Sequence, residues 1–194
     1  YDRRFLDQFA NVLRLYFRLL QNALGLLFGR GGGGYLNYPY AAIQRTTDVS
    51  FTVNTPTQIT FNQNDYVNLC ANDTSDGIHV NAAGIYNYQF STQFKNTDTQ
   101  IHSAWIWLRI NGVDVPGTGS KFDVTSSHGG TPGYIIAACN FYVDLAVGDT
   151  IEMWAAVNNT TVTFDAAAAA TSPFAMPANP SVVATLSFVS SIPT

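Results

Sequence analysis

Tyr86-Asn87-Tyr88-Gln89-Phe90-Ser91-Thr92-Gln93-Phe94 decides the fold class. Tyr86, Tyr88, Phe90, Thr92 and Phe94 alternate with Asn87, Gln89, Ser91 and Gln93. A period of two puts one set on each face of an extended chain, so the stretch predicts a half-buried β-strand. Outward from it, Ile101–Ile110 reads as another strand. It is closed by Asn111-Gly112, a strong tight-turn signal ahead of Val113 and Val115. Further strands are predicted over 134–145, 150–157 and 182–189, with shorter ones at 50–53, 58–61, 66–71 and 78–80. Short strands separated by turn signals at this density predict a β-sandwich or barrel. Residues 165–180, with a run of five alanines and three prolines, read as a long loop.

Ahead of these strands the period changes. Residues 3–28 carry a heptad through Leu6, Phe9, Leu13, Tyr16, Leu20, Ala23 and Leu27, which predicts one long helix. Phe5, Val12, Leu19 and Leu26 flank this row on one side, and Ala10, Phe17 and Leu24 on the other. A narrow stripe of Arg4, Asn11 and Arg18, with Asp7, Arg14 and Gln21 beside it, stays polar. Such an apolar arc is too wide for a two-stranded coiled coil. It suits a bundle of three or more helices, or a helix sunk into a host assembly. The anchoring side chains are then Leu6, Phe9, Leu13, Tyr16, Phe17, Leu20, Leu24 and Leu27. A membrane span is the weaker reading, because Arg14 and Arg18 interrupt the centre. A signal peptide would begin at Arg3 and Arg4, but the glycines from Gly29 stand where a small-residue cleavage site belongs. The run Gly29-Arg30-Gly31-Gly32-Gly33-Gly34 lacks the Lys-Ser/Thr ending of a phosphate loop and reads as a hinge. The expected organisation is helix 1–28, hinge 29–37 and head 38–194. The first residue is Tyr1, not Met, so the sequence reads as trimmed at its start.

Composition points to assembly. Of 194 residues 46% are hydrophobic and 11% charged, against a usual charged share of about a quarter. So few charges predict that part of the surface is buried against other chains. The charge is also divided: residues 1–45 hold six arginines against Asp2 and Asp7, and the remainder holds Lys95, Arg109 and Lys121 against eleven acids. A basic arm on an acidic body implies different partners for the two. The arginines are scattered among leucines and aromatics, and no nucleic-acid partner is expected. Cys70 and Cys139 lie in apolar, strand-like contexts without a CxxC motif. They read as reduced core thiols, with a disulfide as the other possibility.

Several strands are apolar on both faces. Ala104, Ile106, Leu108 and Ile110 can fill a core, which turns Trp105 and Trp107 the other way. Trp154 opposes Ile151, Met153, Ala155 and Val157, and Tyr142 opposes Phe141 and Val143. Outward positions of an antiparallel sandwich are usually polar, so large aromatics there predict buried subunit contacts. A covering loop of the same chain is the alternative. Trp105, Trp107, Tyr142 and Trp154 are accordingly the expected homotrimer interface.

Catalytic candidates are thin. His79, His102 and His128 lie in separate segments without ligand spacing. Asn72, Asp73 and Asp76 could offer oxygen ligands to Ca²⁺ but lack the ordered loop of a dedicated site. Glu152, the one glutamate, faces away from the core set of its strand. No paired carboxylates for glycoside hydrolysis are identifiable. No catalytic residue, cofactor or metal is expected, and the chain reads as no enzyme.

The segment Ile78-His79-Val80-Asn81-Ala82-Ala83-Gly84-Ile85-Tyr86-Asn87-Tyr88-Gln89-Phe90 resembles the valine, glycine, aromatic-strand signature of tumour-necrosis-factor-like jelly rolls, shared by complement-type globular heads. Leu145-Ala146-Val147-Gly148-Asp149-Thr150-Ile151-Glu152-Met153 is similar to that family's Gly-Asp turn into the penultimate strand, and 182–189 matches its last strand. The resemblance implies a jelly roll of about ten strands, packed as a threefold trimer, with no catalysis. The family's collagen-like or membrane stalk is replaced here by the helix and glycine run. That layout resembles a bacteriophage virion fibre, head-decoration or tail-associated protein. It implies a virion location, other virion proteins as partners of residues 1–30, and a possible host-surface ligand for the head. The alternative is an extracellular module of the same fold, a secreted or surface-displayed trimer that binds a ligand.

Overall fold

The structure is a computed structural model describing residues 3–28, 38–73 and 77–191. The chain divides into two compact units, Tyr1–Tyr38 and Pro39–Thr194. The glycine run and Asp76 lie outside the described residues.

The first unit contains one helix, α1 (Arg3–Phe28). Every residue from 3 to 22 is exposed, including Leu6, Phe9, Leu13, Tyr16, Phe17 and Leu20. Phe5 and Phe9, one turn apart, stack with ring centroids 6.4 Å from each other. The side chains of Leu24 and Leu27 fall outside the described residues. No acidic residue stands in the first turn and no basic residue in the last, so the terminal charges do not complement the helix dipole. Stability must then come from whatever packs on the apolar arc. Among the described residues no helix is long and apolar enough to cross a membrane.

The second unit is a jelly-roll sandwich. Its strands are β1 (Tyr40–Arg45), β2 (Thr57–Ile59), β3 (Gln63–Asn68), β4 (Cys70–Asp73), β5 (Gly77–Val80), β6 (Gly84–Asn96) and β7 (His102–Ile110). They continue as β8 (Val113–Asp114), β9 (Ser120–Val124), β10 (Gly133–Leu145), β11 (Thr150–Val157), β12 (Val162–Phe164) and β13 (Val182–Ser190). One sheet runs β10-β6-β13-β1-β3, with β12 also on β6. The other runs β4-β5-β11-β7-β8, with β2 on β11 and β9 on β7. Neighbouring strands are antiparallel and mostly not consecutive in sequence, as the crossovers of a jelly roll require.

The core lies between the sheets. Tyr86, Tyr88, Phe90 and Phe94 of β6 point into it, as the alternation predicts, and meet Ile106, Leu108, Ile151 and Met153 from the opposite sheet. Phe164 packs edge-on against Phe94 at 4.8 Å and against Phe51 at 4.9 Å. Asn111 and Gly112 both adopt positive φ, +51° and +78°, and close the β7–β8 hairpin with Arg109 opposite Asp114. That conformation matches the right-handed twist of the strands it joins.

Three strands escape the sequence reading. β1 contains Ala41-Ala42, β9 alternates through charged Lys121 and Asp123, and β12 spans only three residues. Conversely, the strand expected at 50–53 is not one. Val49 bridges Phe164 in the first sheet and Val53 bridges Val157 in the second. The segment crosses between sheets, and its alternation reflects packing of Val49 and Phe51, not a ladder. The 165–180 loop folds back on itself through bridges Ala167–Asn179 and Ala170–Met176.

Cys70 on β4 is buried and Cys139 on β10 half-buried, and both are free thiols. Burial pushes the Cys70 thiol up to about 11, which starves it of thiolate. Iodoacetamide at pH 8 is therefore expected to modify Cys139 first in the native chain, and Cys70 only after denaturation, without reductant. Equal native rates measured by peptide mass spectrometry would show that Cys70 is not held in the core.

Candidate functional site

Large aromatic side chains stand on the outer faces of both sheets. On the second sheet, Trp105 and Trp107 alternate with buried Ala104, Ile106 and Leu108 along β7. Trp154 sits directly across from Trp107, and Ala156 across from Trp105. The Arg109 guanidinium lies 3.9 Å from the Trp154 ring centroid and 5.9 Å from that of Trp107. Asp114, carried opposite Arg109 by the Asn111-Gly112 turn, accepts from Arg109 Nε at 2.6 Å and from Trp107 Nε1 at 2.7 Å, both on Oδ1. Those two bonds, Arg109 first, hold the Asp114 carboxyl below its ordinary range. Glu152 accepts from Trp154 Nε1 at 2.6 Å and from the Gly112 backbone N–H at 2.9 Å. The indole N–H groups of Trp107 and Trp154 thus find partners within the chain.

Tyr142 does not belong to this face. β10 pairs with β6 along its whole length, which puts Tyr142 on the outside of the other sheet. The four residues expected at the trimer contact therefore divide between two faces.

The outer face of the first sheet has a different chemistry. Tyr134, Ile136 and Tyr142 of β10 project from it, with Ile136 72% and Tyr142 68% exposed. Tyr66 of β3 and Val189 of β13 are exposed on the same sheet. Gln89, Ser91, Ala138, Asn140, Val183 and Thr185 line a shallow groove of about 470 Å³ at its centre. Along β6, β10 and β13 the outward charges are Lys95, paired with Asp165 at 2.9 Å, and Asp144 near the end of β10. Large exposed apolar side chains with few charges between them are the composition of an interface core.

The histidines stay apart. His102 Nε2 lies 2.7 Å from Asp98 Oδ2, His79 Nδ1 lies 2.6 Å from Thr150 Oγ1, and His128 exchanges backbone hydrogen bonds with Thr131. Asn72 donates to Asn64 Oδ1, and the side chains of Asp73 and Asp76 lie outside the described residues. Among the described residues no group of three or more His, Cys, Asp or Glu side chains gathers where a metal could sit.

The sequence reading turned Glu152 outward but did not join it to Arg109 and Asp114. A two-residue turn at 111–112 pairs 109 with 114, so the Asn111-Gly112 signal already contained that ion pair.

Comparison with protein-family models finds no match, and comparison with curated proteins finds none either. Among solved structures, the crystal structure of murine APRIL at pH 5.0 aligns over 77% of this chain and 98% of its own, at 13% identity and a TM-score of 0.49.

Proposed function

We propose that this chain is a structural protein of a virus particle, a phage fibre, head-decoration or tail-associated component and not an enzyme. In it α1 anchors a homotrimeric jelly-roll head for display. The observation that carries this reading is the helix itself. Its four arginines at positions 3, 4, 14 and 18 share one side, while Phe5, Phe9, Val12, Leu13, Tyr16, Phe17, Leu19 and Leu20 cover about half the circumference and stand exposed. Leaving five or six of these wet forgoes on the order of 10 kcal/mol. Three mutually packed helices cover the Leu6–Leu20 row and leave Leu15 and Phe17 at the margin, so the arc calls for a host. The trimer contact is supported by the outer face of the first sheet, where the outward charges of β6, β10 and β13 are only Lys95, paired with Asp165, and Asp144, so a neighbouring head meets mostly uncharged side chains.

The test is incorporation. Phe17→Asp with Leu20→Asp is expected to leave a folded head that no longer joins its particle, reducing copy number at least tenfold by quantitative mass spectrometry of purified particles. Normal copy number for the double variant would overturn the anchor role.

A further inference from the structure

We propose that the outer face of the second sheet is a binding site for a neutral glycan, with Trp105 as the stacking platform and Arg109, Asp114 and Glu152 as the polar contacts. The inference rests on the proposed placement of the subunit contact on the other sheet, which leaves this face turned to solvent. All three tryptophans of the chain lie here, and none is in the core, which is built from Phe, Tyr, Ile, Leu, Val and Ala with Met153 and Cys70. The side chain with the largest apolar body is kept out of the core, with Trp105 36% exposed and Trp107 and Trp154 half-buried. Trp107 and Trp154 are also fixed before any ligand arrives, by their Nε1 bonds to Asp114 and Glu152 and by the Arg109 stack. A rigid platform avoids the ordering cost of binding.

The geometry selects the ligand class. Trp105 and Trp107 stand two residues apart on one strand face, about 7 Å along the chain, roughly the length of a sugar ring. Trp105 is 36% exposed, and its cross-strand neighbours are the small Ala156 and the long Lys121. A ring face with its negative quadrupole attracts the C–H face of a pyranose. Beside it, carboxylates and a guanidinium offer forked hydrogen-bond partners for vicinal hydroxyls. Asp114 takes both its intrachain bonds on Oδ1, and its side chain is 65% exposed. Two ion pairs lie on the face, Arg109 with Asp114 at 2.6 Å and Lys121 with Asp123 at 3.1 Å, and Glu152, held by the neutral donors Trp154 Nε1 and Gly112 N, adds one further negative charge. A face with two cations against three carboxylates gives no attraction to an anionic polymer or to nucleic acid. Apolar plates bordered by hydrogen-bonded carboxylates and a guanidinium fit an uncharged polyhydroxyl ligand.

Because all three tryptophans share the face, intrinsic fluorescence reports on it alone. The full chain is titrated with dextran, laminarin, mannan, galactomannan and arabinoxylan, and run in native gels containing each. At least one is expected to change the tryptophan emission saturably and retard the chain. Trp105→Ala is expected to weaken that retention at least tenfold with unchanged melting, and Trp105→Phe to keep part of it. Tyr142→Ala, on the other sheet, is expected to keep all of it. Absence of any response across the five polysaccharides would overturn the proposal, as would wild-type retention by Trp105→Ala. Light scattering on the same samples separates the two readings. If Trp105→Ala lowers the oligomeric mass, the face is a contact between copies and the glycan site is overturned. If a monomeric wild-type chain still binds, the glycan site is supported and the trimer is not.

Discussion

Replacing Phe94 by alanine is expected to lower the stability of the head by about 4 kcal/mol. Phe94 is fully buried between the sheets, with Phe164 edge-on at 4.8 Å and Phe122 at 6.2 Å. Phe164 in turn holds Phe51, so the void opens at the point where β6, β12, β9 and the 50–53 crossover meet. Rigid strands on both sides prevent collapse of the cavity, which places the cost at the upper part of the range for Phe→Ala. Urea denaturation at fixed protein concentration measures it. A loss below about 1 kcal/mol would mean that the two sheets do not close over Phe94.

The alternation around Phe94 is also where the fold was most legible. From Tyr86 to Phe94 each side chain points where a period of two sends it, and Asn111-Gly112 turns with the positive φ values its residue types permit. What stayed hidden was partnership. Nothing local in Gly133–Leu145 says that it pairs with β6 and not with β7, so Tyr142 could not be separated from Trp105 by sequence. β1 was invisible for a related reason. Ala41 and Ala42 have weak strand preference, and the strand exists because β13 and β3 hold it on both sides. The outward facing of the three tryptophans was readable, but their cover was not. Arg109 reaches Trp154 only through the β7–β11 register, which no motif announces.

The second large effect falls on assembly. Ile136→Glu is expected to reduce the mass measured by light scattering from about three times 21.1 kDa to a single 21.1 kDa chain, while far-ultraviolet circular dichroism stays that of a β-sandwich. Ile136 is 72% exposed, so the substitution costs the isolated head almost nothing. On the proposed trimer it places a carboxylate in each contact, where no cation of β6, β10 or β13 except Lys95 at the margin can reach it. Trp107→Glu is the contrasting variant and should leave the mass intact. The opposite pattern, with Trp107→Glu dissociating and Ile136→Glu silent, would return the contact to the tryptophan face.

The position of β13 has a consequence for how the protein is made. In the order β10-β6-β13-β1-β3, the strand of this sheet that leaves the ribosome after the other four is the middle one. Until it emerges, β1 with β3 and β6 with β10 are two separate half-sheets, each presenting an open edge. Val182, Ala184 and Leu186 then enter between them and are fully buried. Most of the head must therefore wait, unfinished and prone to pairing with other chains, for its final residues. A nascent chain stopped at residue 181 would be held as open halves, and a neighbouring chain's β13 could fill the gap as well as its own.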